Sequence, residues 1–446
     1  MKQNRWAALM TALSLTLALT AFAAETMPPA ETSAPAETSL AGPDNGGARE
    51  PDAIDMPVAE KTQKDAAELG KLLNQVTVNP TTLSKVTFDQ IEGLMREKNQ
   101  QIRGFDITIN YLQNMDYDAQ ISLMRDALNG IANIQFYLGT VGSGFAGTAY
   151  EQTYDSLHTA FANIRDGKTQ RENAGIVRQL RSAKAQMVLG AESLYVSLVG
   201  LENQRTALNR QLAALDRTIA ELELRQSLGQ ISAQKLQEVK GGRTKLVSGI
   251  STLEMNIRTL KYQLENLLGA TLTGKLTLGS VPAVTAEQIA AMDQERDLAA
   301  YREVSYDLYA AARTLQDQEE TYTDALKASG YSKAGSAYAA AEMTWNVAQT
   351  TYNSTIQSYE LKFRTLYSKV KDYYQTWLAA QAALEDQRTA YRTAEVKFNQ
   401  GNLSKNAFLT AQDELTTAQE AVAAAANDLF SSYNSYCWAV QSGILN

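Results

Sequence analysis

Two stretches of this chain spell the same structural sentence. Residues 225–236 read Arg-Gln-Ser-Leu-Gly-Gln-Ile-Ser-Ala-Gln-Lys-Leu, and residues 397–408 read Lys-Phe-Asn-Gln-Gly-Asn-Leu-Ser-Lys-Asn-Ala-Phe. At one constant spacing Gly229, Ile231 and Ser232 fall on Gly401, Leu403 and Ser404, and Tyr195 and Leu212 fall on Tyr367 and Leu384. Further upstream, Val-Thr-Phe-Asp-Gln-Ile at 86–91 pairs with Val-Thr-Ala-Glu-Gln-Ile at 284–289. Motifs that recur in the same order mark one supersecondary unit used twice, and such units bury their apolar faces by stacking on each other.

Each unit reads as a helical hairpin. Leu208, Leu212, Leu215, Ile219 and Leu222 step alternately by four and three residues. After Gly229 the same alternation runs through Leu246, Ile250, Leu253, Ile257, Leu260, Leu264 and Leu267. That is a heptad seam on both sides of a short link, the pattern of an antiparallel coiled-coil hairpin. Gly229 supplies the left-handed residue that ends the incoming helix, and Ser232 the side chain that caps the outgoing one. Around the second tip Trp377, Leu384, Tyr391 and Phe398 recur every seven residues, followed by an alanine-rich return through Ala418 and Ala421–Ala426. Both units also open alike, because Thr87 with Gln90 and Thr285 with Gln288 have capping-box spacing. The opener-to-tip stretch is longer in the first unit (87–229) than in the second (285–401). The Gly-rich run from Gly139 to Gly147 is the expected place for the surplus, matched in the second unit by a short link from Ser329-Gly330 to Gly335-Ser336. The expected fold is all-α: two pseudo-repeats of long antiparallel hairpins, at 58–281 and 282–446, with Pro282 marking the boundary.

The start of the chain reads as an address. Lys2 and Arg5 precede an apolar core from Trp6 to Thr20 and a small-x-small site at Ala21-Phe22-Ala23, so residues 1–23 are expected to be a signal peptide. Residues 24–57 hold most of the prolines and are rich in Ala, Thr, Ser and Glu, which points to a disordered leader. The location implied is extracytoplasmic, in the cell envelope. A formal net charge of -8 argues against nucleic acid as the main partner. The single Cys437 leaves no disulfide framework.

With these residues in view the chain, over roughly 84–446, resembles the TolC-like outer-membrane efflux family. The resemblance rests on the two openers, on the tips Gly229-Gln230-Ile231-Ser232 and Gly401-Asn402-Leu403-Ser404, and on Leu264-Glu265-Asn266-Leu267-Leu268-Gly269 at the end of the first unit. It implies a homo-trimer whose helices form a tapering tunnel. It also implies tips that meet a membrane-fusion-type adapter protein, and a link through that adapter to an inner-membrane pump in an export assembly. The eight tip residues are the implied partner-binding site. The family inserts a β-hairpin in each repeat to build a barrel. A spanning strand needs about 9–11 alternating residues, and no such pair fits here, so little or no β-barrel is expected. Ile134-Gln135-Phe136-Tyr137-Leu138 is strand-like but short. A second function class stays open: an extracytoplasmic coiled-coil scaffold or regulator of the envelope that conducts nothing.

Nothing in the sequence points to catalysis. His158 is the only histidine, without a second His or a nearby Cys to complete a zinc or copper set, and no nucleophile elbow accompanies it. No enzyme activity and no cofactor are expected. Asp216-Arg217 and Glu221 with Arg225 read as solvated pairs along helix faces. Gly241-Gly242, inside the returning helix, suggests a kink or a close helix contact. Tyr373, Tyr374, Tyr433 and Tyr436 are expected to fill helix interfaces in preference to lining a wet tunnel, and Cys437 to be a small buried residue beside Trp438.

Overall fold

The openers are built as their capping residues dictate. In the computed structural model, which describes residues 81–140, 147–330 and 335–445, Thr285 Oγ1 accepts from Gln288 N–H at 3.3 Å while Gln288 Oε1 accepts from Thr285 N–H at 2.9 Å. Thr87 N–H donates to Gln90 Oε1 at 3.1 Å in the first copy. Each exchange satisfies backbone donors that a helix start leaves orphaned. The signal and leader segments expected at 1–23 and 24–57 lie outside the described residues.

The first unit runs from a 3-10 turn at Phe88–Gln90 through α1 (Ile91–Lys98), α2 (Gln100–Gln113), α3 (Tyr117–Thr140) and α4 (Gly147–Arg165). It ends in α5 (Lys168–Ser227) and α6 (Ala233–Leu267). The second runs through α7 (Ala286–Ala290), α8 (Gln294–Val304), α9 (Tyr306–Ala328), α10 (Ser336–Asn399) and α11 (Lys405–Ser442). The long arms α5 and α10 span 60 and 64 residues, which at about 1.5 Å per residue makes rods of roughly 90 Å or more. Helix α5 packs on α6, α10 on α11, and α5 on α11, so the hairpins lie side by side. The fold is therefore all-α with two repeats. The strands among the described residues are β1 (Lys85–Val86) and β2 (Thr277–Leu278), two residues each and paired in parallel.

The surplus in the first unit is a helical hairpin. Between α2 and α5 the chain inserts α3 and α4, which pack on each other, where the second unit passes from α9 to α10 through a short link. The Gly-rich run expected to hold the surplus falls between these two helices, and its residues 141–146 lie outside the described residues. The strand-like segment 134–138 is helical, inside α3. Its β-branched and aromatic residues bias toward strand only weakly, and a neighbouring helix decides the outcome.

Two apolar clusters sit where the openers meet the long arms. One gathers Val86, Ile91, Met95 and Ile102 against Val188, Tyr195, Leu198, Ile257 and Leu264. The other gathers Val284, Ile289, Leu298 and Tyr301 against Phe363, Val370, Leu429, Phe430 and Tyr436. The repeats share them: Val196 of α5 packs in the second cluster, and Trp438 of α11 packs against the first. Polar side chains then fix how α5 sits on α11. Buried Glu192 accepts from Asn434 Nδ2 at 2.8 Å and from Trp438 Nε1 at 2.7 Å. Asn427 Nδ2 donates to the Val196 carbonyl at 3.1 Å.

Candidate functional site: the two hairpin tips

The tips are near-identical pieces of backbone. Gly229 and Gly401 take φ of +72° and +77°, a region that costs side-chain-bearing residues energy and glycine almost nothing. Around Gly229, its own N–H bonds Gln226 O at 2.9 Å and the Gln230 N–H reaches back to Arg225 O at 2.9 Å. Around Gly401 the same two bonds run to Phe398 O at 2.9 Å and from Asn402 to Lys397 O at 2.8 Å. This is a Schellman closure in both places, and it satisfies the last carbonyls of α5 and α10. The outgoing helices start alike, because Ser232 Oγ accepts from Lys235 N–H and Ser404 Oγ from Ala407 N–H, each at 3.2 Å.

The packing beneath the tips differs. Leu236 is buried under the first tip. Its counterpart Phe408 stacks on Phe398, with ring centroids 4.7 Å apart, and lies against Tyr391 at 5.7 Å. The tips themselves face water: Gly229, Gln230, Ser232, Gly401, Asn402 and Ser404 are exposed, while Ile231 and Leu403 are half-buried.

The structure brings both tips to one end. Asn406 Nδ2 donates to Glu221 Oε2 at 2.8 Å, and Arg217 pairs with Asp413. About two turns further back Arg210 spans Glu420 Oε2 at 2.6 Å, Thr417 Oγ1 at 3.0 Å and the Asp413 carbonyl at 3.1 Å. These residues tie α5 to α11, and sequence reasoning missed them. Only Glu221–Arg225 is an i,i+4 pair as expected. Asp216 instead bonds Arg243 Nε across the first hairpin at 2.5 Å, and Arg217 reaches the second hairpin. Also missed were Leu224, Leu228 and Val396, which are 62%, 63% and 55% exposed just before the tips. A signal existed for the first two, since both fall off the 208–222 heptad seam.

The remaining candidates are structural. His158 stacks on Tyr154 with centroids 5.9 Å apart. Burial pushes the Cys437 thiol up, which keeps it neutral. Tyr436 is buried and donates to Asp297, and both burial and that carboxylate push its hydroxyl up. Tyr433 stacks on Tyr436 and Tyr374 on Trp377, so these rings pack as expected. Gly241 and Gly242 lie within continuous α6, and a Cβ at either would meet nothing within 4 Å. The close-contact reading is therefore corrected. Among the described residues no group of three or more His, Cys, Asp or Glu is placed to hold a metal ion. No described helix is long and apolar enough to cross a membrane.

No family model and no curated protein matches the chain. Among solved structures it is similar to the outer membrane protein VceC from Vibrio cholerae, at 13% identity and a TM-score of 0.46, covering 80% of this chain and 96% of that one. It is similar to the Campylobacter jejuni CmeC outer membrane channel at 13% identity and a TM-score of 0.47, covering 80% and 86%. For the Neisseria gonorrhoeae MtrE outer membrane channel the values are 11%, 0.48, 80% and 89%. The two-repeat fold itself rests on the chain's own elements.

Proposed function

We propose that the chain is the protomer of a TolC-like export conduit, working as a homo-trimer whose hairpins close into a helical tube. The adapter-facing site is Gly229, Gln230, Ile231 and Ser232 together with Gly401, Asn402, Leu403 and Ser404. The observation that supports this reading is the pair of matching tips, each rigidly closed, exposed and delivered to one end by side-by-side hairpins. Two independent stretches of sequence keep one backbone shape there, although the residues packed beneath them differ. That combination favours a shape presented to a partner over a plain turn. In the tube, three chains would place six such tips in a ring around the axis.

The test is crosslinking from position 230 or 402 in intact cells, alongside the mass of the purified chain by light scattering. The reading expects a trimer mass. It also expects capture of an envelope protein with its own helical hairpin, lost in Leu403→Asp with helix content unchanged. A monomer or dimer at working concentration, with no capture, would overturn it. A non-conducting envelope scaffold is the second reading. It is favoured by one observation, that the stretch between α2 and α5, where the TolC-like family inserts barrel strands, is occupied by the α3–α4 helices.

A further inference from the structure

The two edges of this fold are unfinished in a matching way. Packing sets the four long helices in the order α6, α5, α11, α10, with α6 and α10 outermost. The repeats meet where α5, the incoming arm of the first, lies on α11, the return arm of the second. The reciprocal junction, incoming arm of the second on return arm of the first, needs α10 on α6, and those helices lie at opposite edges. A head-to-tail junction of this kind leaves one unused surface of each sort, and a second copy supplies both.

The free face of α10 corresponds to the face that α5 already uses. At the constant spacing that sets Gly229 on Gly401, Met343, Val347 and Leu361 fall on Arg171, Gly175 and Leu189. In α5, Arg171 pairs with Glu320 of the second repeat at 3.7 Å, and Leu189 is buried. The Tyr309 hydroxyl lies 3.7 Å from where a Cβ on Gly175 would stand. In α10 the three counterparts are apolar and 65%, 58% and 68% exposed. Towards the tip the face continues through Ser368, Ala382 and Thr389, all exposed. Their counterparts Val196, Arg210 and Arg217 are the residues of α5 that engage Asn427, Glu420 and Asp413 of α11.

The same spacing finds the surface to meet them. Asn427, Glu420 and Asp413 fall on Met255, Ser248 and Gly241 of α6. Met255 is 62% exposed and Ser248 is exposed, and a Cβ on Gly241 would meet nothing of its own chain within 4 Å. Where the junction within the chain sets Arg210 on Glu420 and Arg217 on Asp413, the junction between copies sets Ala382 on Ser248 and Thr389 on Gly241. Small residues face small residues, and a glycine lets a neighbouring backbone come close. Further from the tip α2 stands in the first repeat where α9 stands in the second, and its Ile107 and Tyr111 are exposed as well.

We infer that α10 of one chain packs on α6 of a second copy in the register that sets Ala382 beside Ser248 and Thr389 beside Gly241. This junction repeats between chains the one that α5 and α11 make within a chain, with small uncharged contacts in place of the ion pairs. The inference rests on the conduit reading for closure of the ring at three chains, and on the repeat for the seam itself.

The test is disulfide bridging in full-length chain carrying Ser248→Cys, Ala382→Cys and Cys437→Ser. Helices α5 and α11 hold positions 248 and 382 of one chain apart, so a bridge joins two copies. The control replaces Ala382→Cys by Ala383→Cys, equally exposed but turned about 100° round α10. The expected result is covalent multimers, several-fold more abundant with position 382 than with 383. Gly241→Trp should leave helix content unchanged and weaken association by about tenfold or more. A trimer mass without the 248–382 bridge, equal bridging at 382 and 383, or association indifferent to Gly241→Trp would overturn the inference and leave the conduit reading standing. Bridged chains that do not stop at three would overturn the trimer and support the seam. A monomer that forms no bridge would overturn both.

Discussion

Among the polar contacts that join the repeats, one buried carboxylate takes two donors, and that makes Glu192 the sharpest place to test the packing. Its Oε2 takes hydrogen bonds from Asn434 and Trp438, both on the other repeat. Glu192→Leu would strand both donors. An unsatisfied buried donor costs about 1–3 kcal/mol; with both donors only half-buried, the loss should be about 2–4 kcal/mol in total. Glu192→Gln keeps an acceptor of the same length and should stay within about 1 kcal/mol of the parent at neutral pH. Burial holds the Glu192 pKa above its ordinary 4.5, and Glu92 nearby adds to the rise. The folded chain therefore keeps this proton to higher pH than the unfolded chain does. The stabilising contribution is complete below the unfolded value and is lost as pH climbs through the raised folded one. Urea midpoints at constant m, measured from pH 4 to 8, report both effects. The Gln variant should flatten this part of the slope, and a cycle with Trp438→Phe should show coupling. A Leu variant as stable as the Gln variant would refute the reasoning.

Three other outcomes are expected. Gly443 has φ of +67° and a Cβ there would sit 2.4 Å from the Ser305 Cα, so Gly443→Ala should cost about 2–5 kcal/mol, from the left-handed penalty plus a forced backbone shift; an unchanged melting temperature would contradict this. Gly401→Ala meets nothing within 4 Å and should lose only about 1–2 kcal/mol, with circular dichroism unaltered. Burial pushes the Asp297 carboxyl up, but hydrogen bonds from Arg296, Tyr436 and the Asp293 N–H outweigh it and hold its pKa below 3.8. Its contribution is present above that unfolded value and is lost as pH falls through the lower folded one, so Asp297→Asn should remove part of the acid sensitivity seen in thermal melts.

What the sequence disclosed was local. Gly229 and Gly401 announce left-handed closures because few other residues tolerate them, and Ser232, Ser404, Thr87 and Thr285 announce helix starts because their side chains reach a backbone N–H within three residues. The heptad seams disclosed the hairpins for the same reason. What it hid was nonlocal. Nothing near Glu192 says that Trp438 will bind it, and nothing near Arg217 says that Asp413 will take it from its own helix. The run at 134–138 was ambiguous because a short apolar stretch has no decisive period; helix α4 beside it settled the matter. Ile231 and Leu403 were legible as tip residues, and the exposure of Leu224 and Leu228 was legible in their falling off the 208–222 seam, whereas Val396 gave no such signal.

The most direct test of the conduit account is single-particle electron microscopy of the purified chain viewed end-on. Three chains around a three-fold axis with an open centre, and paired hairpin tips gathered at one end, are the predicted image. Solitary rods, or a closed bundle without an axial hole, would contradict it.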